Sequence, residues 1–424
     1  MKLRYQLLCV LLAYSLPAPV AQAQFSQQGP KLVGIGAIKA GAGVSQGWSA
    51  SISDDGNTAI IGGSGDENLA GAAWVFTRSG GKWSQQAKLV GTGAKGARAQ
   101  QGSSVSLSGD GNAAIIGGLG DNNLAGAAWV FTRSGGRWSQ QTKLVGTGAK
   151  GAGAQQGSSV SLSDDGNTAI VGGFADDGGV NGGVGAAWVY KLSDGVWKQQ
   201  AKLAGTGAIG NSGQGWSVSL SDDGNTAIVG GFADDGGVNG GVGAAWVYKL
   251  SDGVWKQQAK LIGAGAIGNS GQGRSVSLSG DGKSAILGGF ADNNSAGAAW
   301  VFKLSDGVWK QQAKLVGTDA IGKARQGISV SLSDDGDTAI VGGFADNREA
   351  GATWVFTRRG EVWKKGPKLV GTGAIGGFAG QGTSVSLSGD GKTAIVGGPF
   401  DNGNLGAAWV YAKPVFAGRP GRAR

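Results

Sequence analysis

The stretch Gln101-Gly102-Ser103-Ser104-Val105-Ser106-Leu107-Ser108-Gly109-Asp110-Gly111-Asn112-Ala113-Ala114-Ile115-Ile116-Gly117-Gly118 decides the fold. Ser104 to Ser108 alternates polar and apolar residues at period two, Asp110-Gly111-Asn112 supplies turn chemistry, and Ala113 to Gly118 runs apolar. This pattern predicts a β-hairpin. A loop then leads to Gly126-Ala127-Ala128-Trp129-Val130-Phe131, a glycine-containing turn follows, and Trp138-Ser139-Gln140-Gln141-Thr142-Lys143-Leu144 reads as a fourth strand. The four are strands a, b, c and d.

The unit recurs. The glycine of the opening Gln-Gly stands at Gly47, Gly102, Gly157, Gly215, Gly273, Gly327 and Gly382, at steps of 54 to 58 residues. Four short antiparallel strands repeated seven times predict an all-β chain, a seven-bladed β-propeller, rather than solenoid coils of about 20 to 30 residues. The last unit stops at strand c, around Trp409-Val410-Tyr411, whereas Phe25-Ser26-Gln27-Gln28-Gly29-Pro30-Lys31-Leu32-Val33 is a strand d with no blade before it. Placed beside each other they complete the seventh blade, close the ring and leave no long unpaired edge. Thirteen of the 15 tryptophans fall at two fixed offsets, in strand c (such as Trp129) and strand d (such as Trp138), and read as packing between blades. Only Trp48 and Trp216 lie elsewhere.

These repeats resemble the FG-GAP family, the propeller type of integrin alpha N-terminal regions and of many exported bacterial proteins, over residues 24–411. The family's Phe-Gly stands here as Gln-Gly, and its Gly-Ala-Pro as Gly-Gly-x, closest at Gly397-Gly398-Pro399. The resemblance implies adhesion or ligand binding, often with calcium in an Asp-x-Asp/Asn-x-Asp-Gly-x-x-Asp loop. This chain departs from that loop. Aligned on Asp110-Gly111, Ser106, Ser108 and Ala114 stand where the other carboxylates would, and the remaining copies do the same. Calcium takes six to eight oxygens, several of them from carboxylates, so the hairpin Asp reads as a turn residue, and neither a metal nor another cofactor is expected.

Composition excludes further chemistry. With no His, and with Cys9 the only Cys, the chain has no Ser-His-Asp or Cys-His nucleophile and no His-ligated metal. Lys2 and Arg4 precede an apolar run from Leu7 to Val20, and Ala21-Gln22-Ala23 offers small residues for cleavage. Residues 1–23 thus read as a signal peptide, residues 24–411 as the propeller and residues 412–424 as a basic tail with Arg419, Arg422 and Arg424. The expected location is secreted, periplasmic or at the cell surface. Removing Lys2 and Arg4 lowers the net charge from +9 to +7. A basic exported chain points to anionic glycans or cell surfaces before nucleic acid. No later stretch is long and apolar enough for a membrane span, and a monomer is expected.

The acidic residues offer no catalytic pair. Asp110 and its equivalents occupy the hairpin turn; Asp54, Asp164, Asp222 and Asp334 precede four of them. Asp66, Asp121, Asp176, Asp234, Asp292, Asp346 and Asp401 occupy the loop between b and c. For this last set two readings are open, a cap on the residue's own loop or a contribution to weak cation binding. A glycosidase needs two carboxylates in unlike environments, and repeated copies provide like ones. Residues 156–213 and 214–271 differ only at Ser158/Trp216, Ala204/Ile262 and Thr206/Ala264. Wholesale copying of a blade suits a scaffold or a multivalent binder better than an enzyme.

Recognition is expected on the face carrying the d-to-a and b-to-c loops, where the copies vary. The residue after Gln-Gly is Trp48, Ser103, Ser158, Trp216, Arg274, Ile328 or Thr383. It reads either as a set of distinct contacts around the central opening or as relaxed packing at a strand start. Trp48, Trp216 and Arg274 are the candidate ligand contacts, since the other copies do without their bulk, and a glycan or a surface protein is the expected partner.

Overall fold

The structure, a computed structural model, describes residues 24–41, 43–151, 153–177, 183–235 and 241–414. The expected signal peptide, the segments 178–182 and 236–240 of the two longest b-to-c loops, and residues 415–424 of the basic tail lie outside the described residues. The strands form seven four-stranded antiparallel sheets, each ordered a-b-c-d outward from the axis. In blade 2 these are Gln101–Leu107, Ala113–Gly118, Ala127–Ser134 and Arg137–Leu144. Every residue of strand b is buried, which explains why it runs apolar rather than alternating: both of its faces meet a neighbouring blade. Strand d, at the outer edge, alternates exposed and half-buried positions for most of its length.

Hydrophobic clusters sit between blades rather than inside them. One joins Ile115 and Val130 of blade 2 to Val160, Val171 and Trp188 of blade 3. Another joins Ile395 and Val410 of blade 7 to Ile52, Ile61 and Trp74 of blade 1, so the first and last blades share a core and the ring is closed. All seven strand-c tryptophans are fully buried in these seams.

Two glycines show why the repeat tolerates no side chain where blades meet. A Cβ on Gly91, which follows strand d of blade 1, would lie 2.3 Å from the Trp129 indole of blade 2. Gly102 adopts φ +81°, and a Cβ there would lie 2.2 Å from the Ala72 carbonyl oxygen. Its partner in the Gln-Gly pair acts as a clamp: Gln101 Oε1 accepts the Gly91 N–H while Nε2 donates to the Gly91 carbonyl at 2.9 Å. The clamp recurs from Gln46 on Gly34 to Gln381 on Gly371. A buried carboxamide that satisfies both backbone groups of the crossing loop accounts for Gln at the Phe position of the FG-GAP pattern.

The N-terminal segment completes blade 7. Ser26 and Gln27 pair with Ala412 and Tyr411, and Leu32 bridges Ala408. The regular strand is shorter than residues 25–33, because Gly29 turns at φ +70° and Pro30 has no N–H to offer. Contacts reach three blades. Phe25 is buried between blades 6 and 7, Leu32 between blades 7 and 1, and Gln28 Oε1 accepts from Arg78 Nη1 of blade 1 at 2.7 Å. No helix among the described residues is long and apolar enough to cross a membrane.

Candidate functional site

The site begins with a break in the ladder. In blades 2 and 5 the pairing of strand a with strand b jumps from Gln101 to Ser104 and from Gln272 to Ser275. The residue after Gln-Gly is therefore freed from the sheet's alternation, and the scaffold does not dictate its identity. Its seven copies, Trp48, Ser103, Ser158, Trp216, Arg274, Ile328 and Thr383, line one cavity of about 330 Å³ at the axial opening of the loop-bearing face. Phe290, Phe344, Phe400 and Arg325 join them in the wall, to which no carboxylate contributes among the described residues.

These residues differ in how far the scaffold uses them. Ser103 Oγ donates to the Gly117 and Gly157 carbonyls, Ser158 Oγ to those of Gly172 and Gly215, and Thr383 Oγ1 to that of Gly380. The small copies thus turn their protons back to the backbone. Trp216 is wedged between Phe174 and Phe232, with ring centroids at 4.3 and 4.7 Å. The Arg274 guanidinium lies 4.4 Å from the Trp216 ring, with Phe290 and Phe232 at 5.8 and 5.9 Å. Burial in this aromatic wall pushes Arg274 down to about 10, still charged at neutral pH. Trp48 contrasts with both: it is 43% exposed and has one of the freest aromatic surfaces at the opening.

Of the three candidate contacts, then, Trp48 presents itself to solvent, Arg274 presents a charge, and Trp216 supports Arg274 from behind. The phenylalanines were not singled out from sequence. For Phe174, Phe232, Phe290 and Phe344 the signal was a second variable position, the residue after Gly-Gly, which reads Ser64, Leu119, Phe174, Phe232, Phe290, Phe344 and Pro399; Phe400 lies one residue further on.

Comparison with known proteins bears on the scaffold. The FG-GAP repeat family model matches residues 309–356, strand d of blade 5 through strand c of blade 6. Together with seven equivalent blades in a closed ring, that match decides the assignment. The chain is an FG-GAP β-propeller. No curated protein matches its sequence. A solved chain described as Kuenenia stuttgartiensis hydrazine synthase is similar to this FG-GAP propeller over 85% of the present chain and 94% of its own, at 13% identity and a TM-score of 0.55. At that identity the likeness is one of fold.

The seven b-to-c Asp residues of this FG-GAP propeller serve neither as caps on their own loops nor as free carboxylates. Asp121 Oδ1 accepts the Lys95 N–H of the loop entering the blade, and Oδ2 pairs with Lys143 of strand d at 2.6 Å. Asp66 with Lys88, Asp176 with Lys202, Asp234 with Lys260, Asp292 with Lys314, Asp346 with Lys368 and Asp401 with Lys31 repeat the pair. Lys88, Lys143, Lys202, Lys260, Lys314 and Lys368 also lie near the buried Trp of their blade, as Lys143 does at 5.1 Å from Trp129. Loop, outer strand and core are joined at one buried charge. For Lys31 and Asp401 the same bond ties the N-terminal segment to blade 7.

The hairpin does not fit the calcium loop of the family. Asp110 Oδ1 accepts from Ser108 Oγ and the Asn112 N–H, and Oδ2 from Asn112 Nδ2. Burial opposes ionisation of Asp110, but these donors hold it below the usual carboxylate range. Its lone pairs are filled by the turn itself. Among the described residues no group of three or more His, Cys, Asp or Glu is placed to hold a metal ion.

At the other end of the axis the hairpins meet. Six hydrogen bonds run from blade to blade, Asp54 N–H to the Gly109 carbonyl, then Gly109 to Asp164, Asp164 to Asp222, Asp222 to Gly280, Gly280 to Asp334 and Asp334 to Gly389. The side chains of Asp54, Asp164, Asp222 and Asp334 crowd this ring. Burial, the Asp164 carboxyl and the charges of Asp334 and Asp222 push Asp54 up to about 8. Burial and neighbouring carboxylates push Asp222 to about 6 and also raise Asp334. Sequence reading left these acids as turn residues, because only the seven-fold arrangement brings them together.

Proposed function

We propose that this chain is an exported, monomeric, non-catalytic binding propeller that recognises a glycan or an extracellular surface protein through its loop-bearing face. One observation carries the reading. A scaffold repeated almost without change holds five residue types among the seven copies of one equivalent position, and those residues line one cavity. A cavity of this size with aromatic walls and a few polar groups suits a small ligand or one residue of a polymer. The absence of carboxylates from its wall supports binding over hydrolysis. The basic sequence and the leader-like residues 1–23 support a role outside the cytoplasm, at a secreted, periplasmic or cell-surface location. A glycan array probed with the wild-type chain and with Trp48→Ala tests the reading. Retention of a defined glycan class by the wild type, lost in the variant, is expected; equal signals from both would overturn the cavity as the binding site.

A further inference from the structure

The Arg274 guanidinium is a half-buried charge on the cavity wall. It has five N–H donors, yet among the described residues it makes aromatic contacts and has no hydrogen-bond acceptor or carboxylate partner. A half-buried charge against aromatic walls has lost part of its hydration and gains from a partner. The guanidinium lies over the Trp216 ring, and Arg274 lines the cavity. A planar anion entering the cavity would supply that partner, a role for which the Arg fork is suited.

The surroundings say what carries that anion. Trp48, exposed on the same wall, offers a flat apolar face on which a sugar ring can stack. Arg325, its guanidinium 5.4 Å from the Phe344 ring, lines both this cavity and a neighbouring depression that also contains Lys323, Arg348 and Glu349. Three cations against one carboxylate continue the positive surface outward over blades 5 and 6. A polymer with an acid on successive residues would use both places. We propose that the cavity binds a uronic acid residue of an acidic polysaccharide, the carboxylate on Arg274 and the sugar ring on Trp48, with the next residues passing Arg325. This rests on the reading of the loop-bearing face as the binding face and adds the ligand's chemistry.

The test is calorimetric titration of the full chain at about 150 mM salt with three probes: a hexagalacturonate, a neutral hexasaccharide and a hexaglutamate peptide. Arg274→Gln, Arg274→Lys, Arg325→Gln and Trp48→Ala are titrated alongside, each with a melting curve. The hexagalacturonate is expected to bind, with affinity falling about 30-fold or more in Arg274→Gln, where a charge pair screened by aromatic walls is lost, and about 3-fold in Arg325→Gln, where the lost pair is exposed. Arg274→Lys should stay weak, because it keeps the charge and loses the fork. Arg325 is exposed, so its variant reports even if Arg274→Gln melts early. Binding of the neutral sugar, lost in Trp48→Ala and unchanged in the Arg variants, overturns the acidic ligand and leaves the binding face standing. Binding of hexaglutamate with the same Arg274 dependence, without the hexagalacturonate, overturns the sugar. Hexagalacturonate binding indifferent to Arg274 and Arg325 overturns the placement. No binding by any probe, together with a blank glycan array, overturns the inference and the reading beneath it.

Discussion

Breaking the N-terminal clasp is expected to weaken the ring from both sides of blade 7. Phe25 and Leu32 are 8% and 6% exposed and belong to different inter-blade clusters. Truncation to Ala should cost about 3–5 kcal/mol at Phe25 and about 2–5 kcal/mol at Leu32, and the two should add because they share no cluster. The described chain spans about 390 residues, so its unfolding entropy is on the order of 0.8 kcal/mol/K and each kcal/mol lowers Tm by about 1.2 °C. The double variant should therefore melt about 6–12 °C below the wild type. Deleting residues 24–34 should do more, since the paired edge of strand c, Ala407–Ala412, is then uncovered. Differential scanning calorimetry measures the shift, and limited proteolysis should find new cuts in blade 7. Lys31→Met provides an internal comparison, because it leaves buried Asp401 unpaired as Lys143→Met leaves Asp121. Both should cost about 3–5 kcal/mol. A deletion variant that melts with the wild type, or a Lys31→Met that is neutral while Lys143→Met is not, would refute the clasp.

Three further outcomes are expected. Trp216→Ala, which removes the wedge between Phe174 and Phe232 and the support of Arg274, should lower stability by about 2–3 kcal/mol, less than a fully buried Trp. Trp48→Ala should change it by less than about 0.5 kcal/mol, and equal Tm values would remove the distinction drawn between them. The axial carboxyls should make the protein more stable in mild acid: Asp54, at about 8 in the fold against an ordinary 3.8, binds its proton more tightly when native, so this contribution is full below about pH 4 and lost as pH rises through 8. Asp110 and its lowered equivalents act oppositely, with stability lost below their ordinary range, so Tm should peak near pH 4–5 and fall towards pH 9. Asp54→Asn should flatten that fall; an unchanged pH profile would contradict the carboxyl ring. Calcium titrated into the protein should give no stoichiometric heat that disappears in Asp110→Asn and its counterparts in the other hairpins.

The ring was legible in the sequence because two signals reinforce each other, a period of 54 to 58 residues and an orphan strand d at one end matched by a missing one at the other. The residue after Gln-Gly was legible as a variable position, and the register jump at Gln101 and Ser104 supplies the reason for its freedom. Other features were hidden by that same regularity. Asp121 and Lys143 are constant in every blade, so nothing in one sequence pairs them, and either could serve its own turn or solvent. Asp54 and Asp164 look identical to any turn acid when read locally; their interaction exists only where seven hairpins converge on an axis. The Phe174 and Phe232 rings belong to the site through Trp216, a contact between blades that no local pattern carries.

The account stands on the claim that the seven copies of one variable position in a nearly constant ring form one recognition site. Fluorine NMR of the chain grown with 5-fluorotryptophan tests it residue by residue, since Trp48 and Trp216 can be assigned by Trp48→Phe and Trp216→Phe against the 13 tryptophans of strands c and d. On addition of a ligand retained on the array, the Trp48 signal should move most and Trp216 less, while the signals of the buried strand-c tryptophans and of the outer strand d stay in place. Shifts confined to strand-d tryptophans such as Trp138 and Trp309, with Trp48 unmoved, would put recognition on the outer rim and contradict the account.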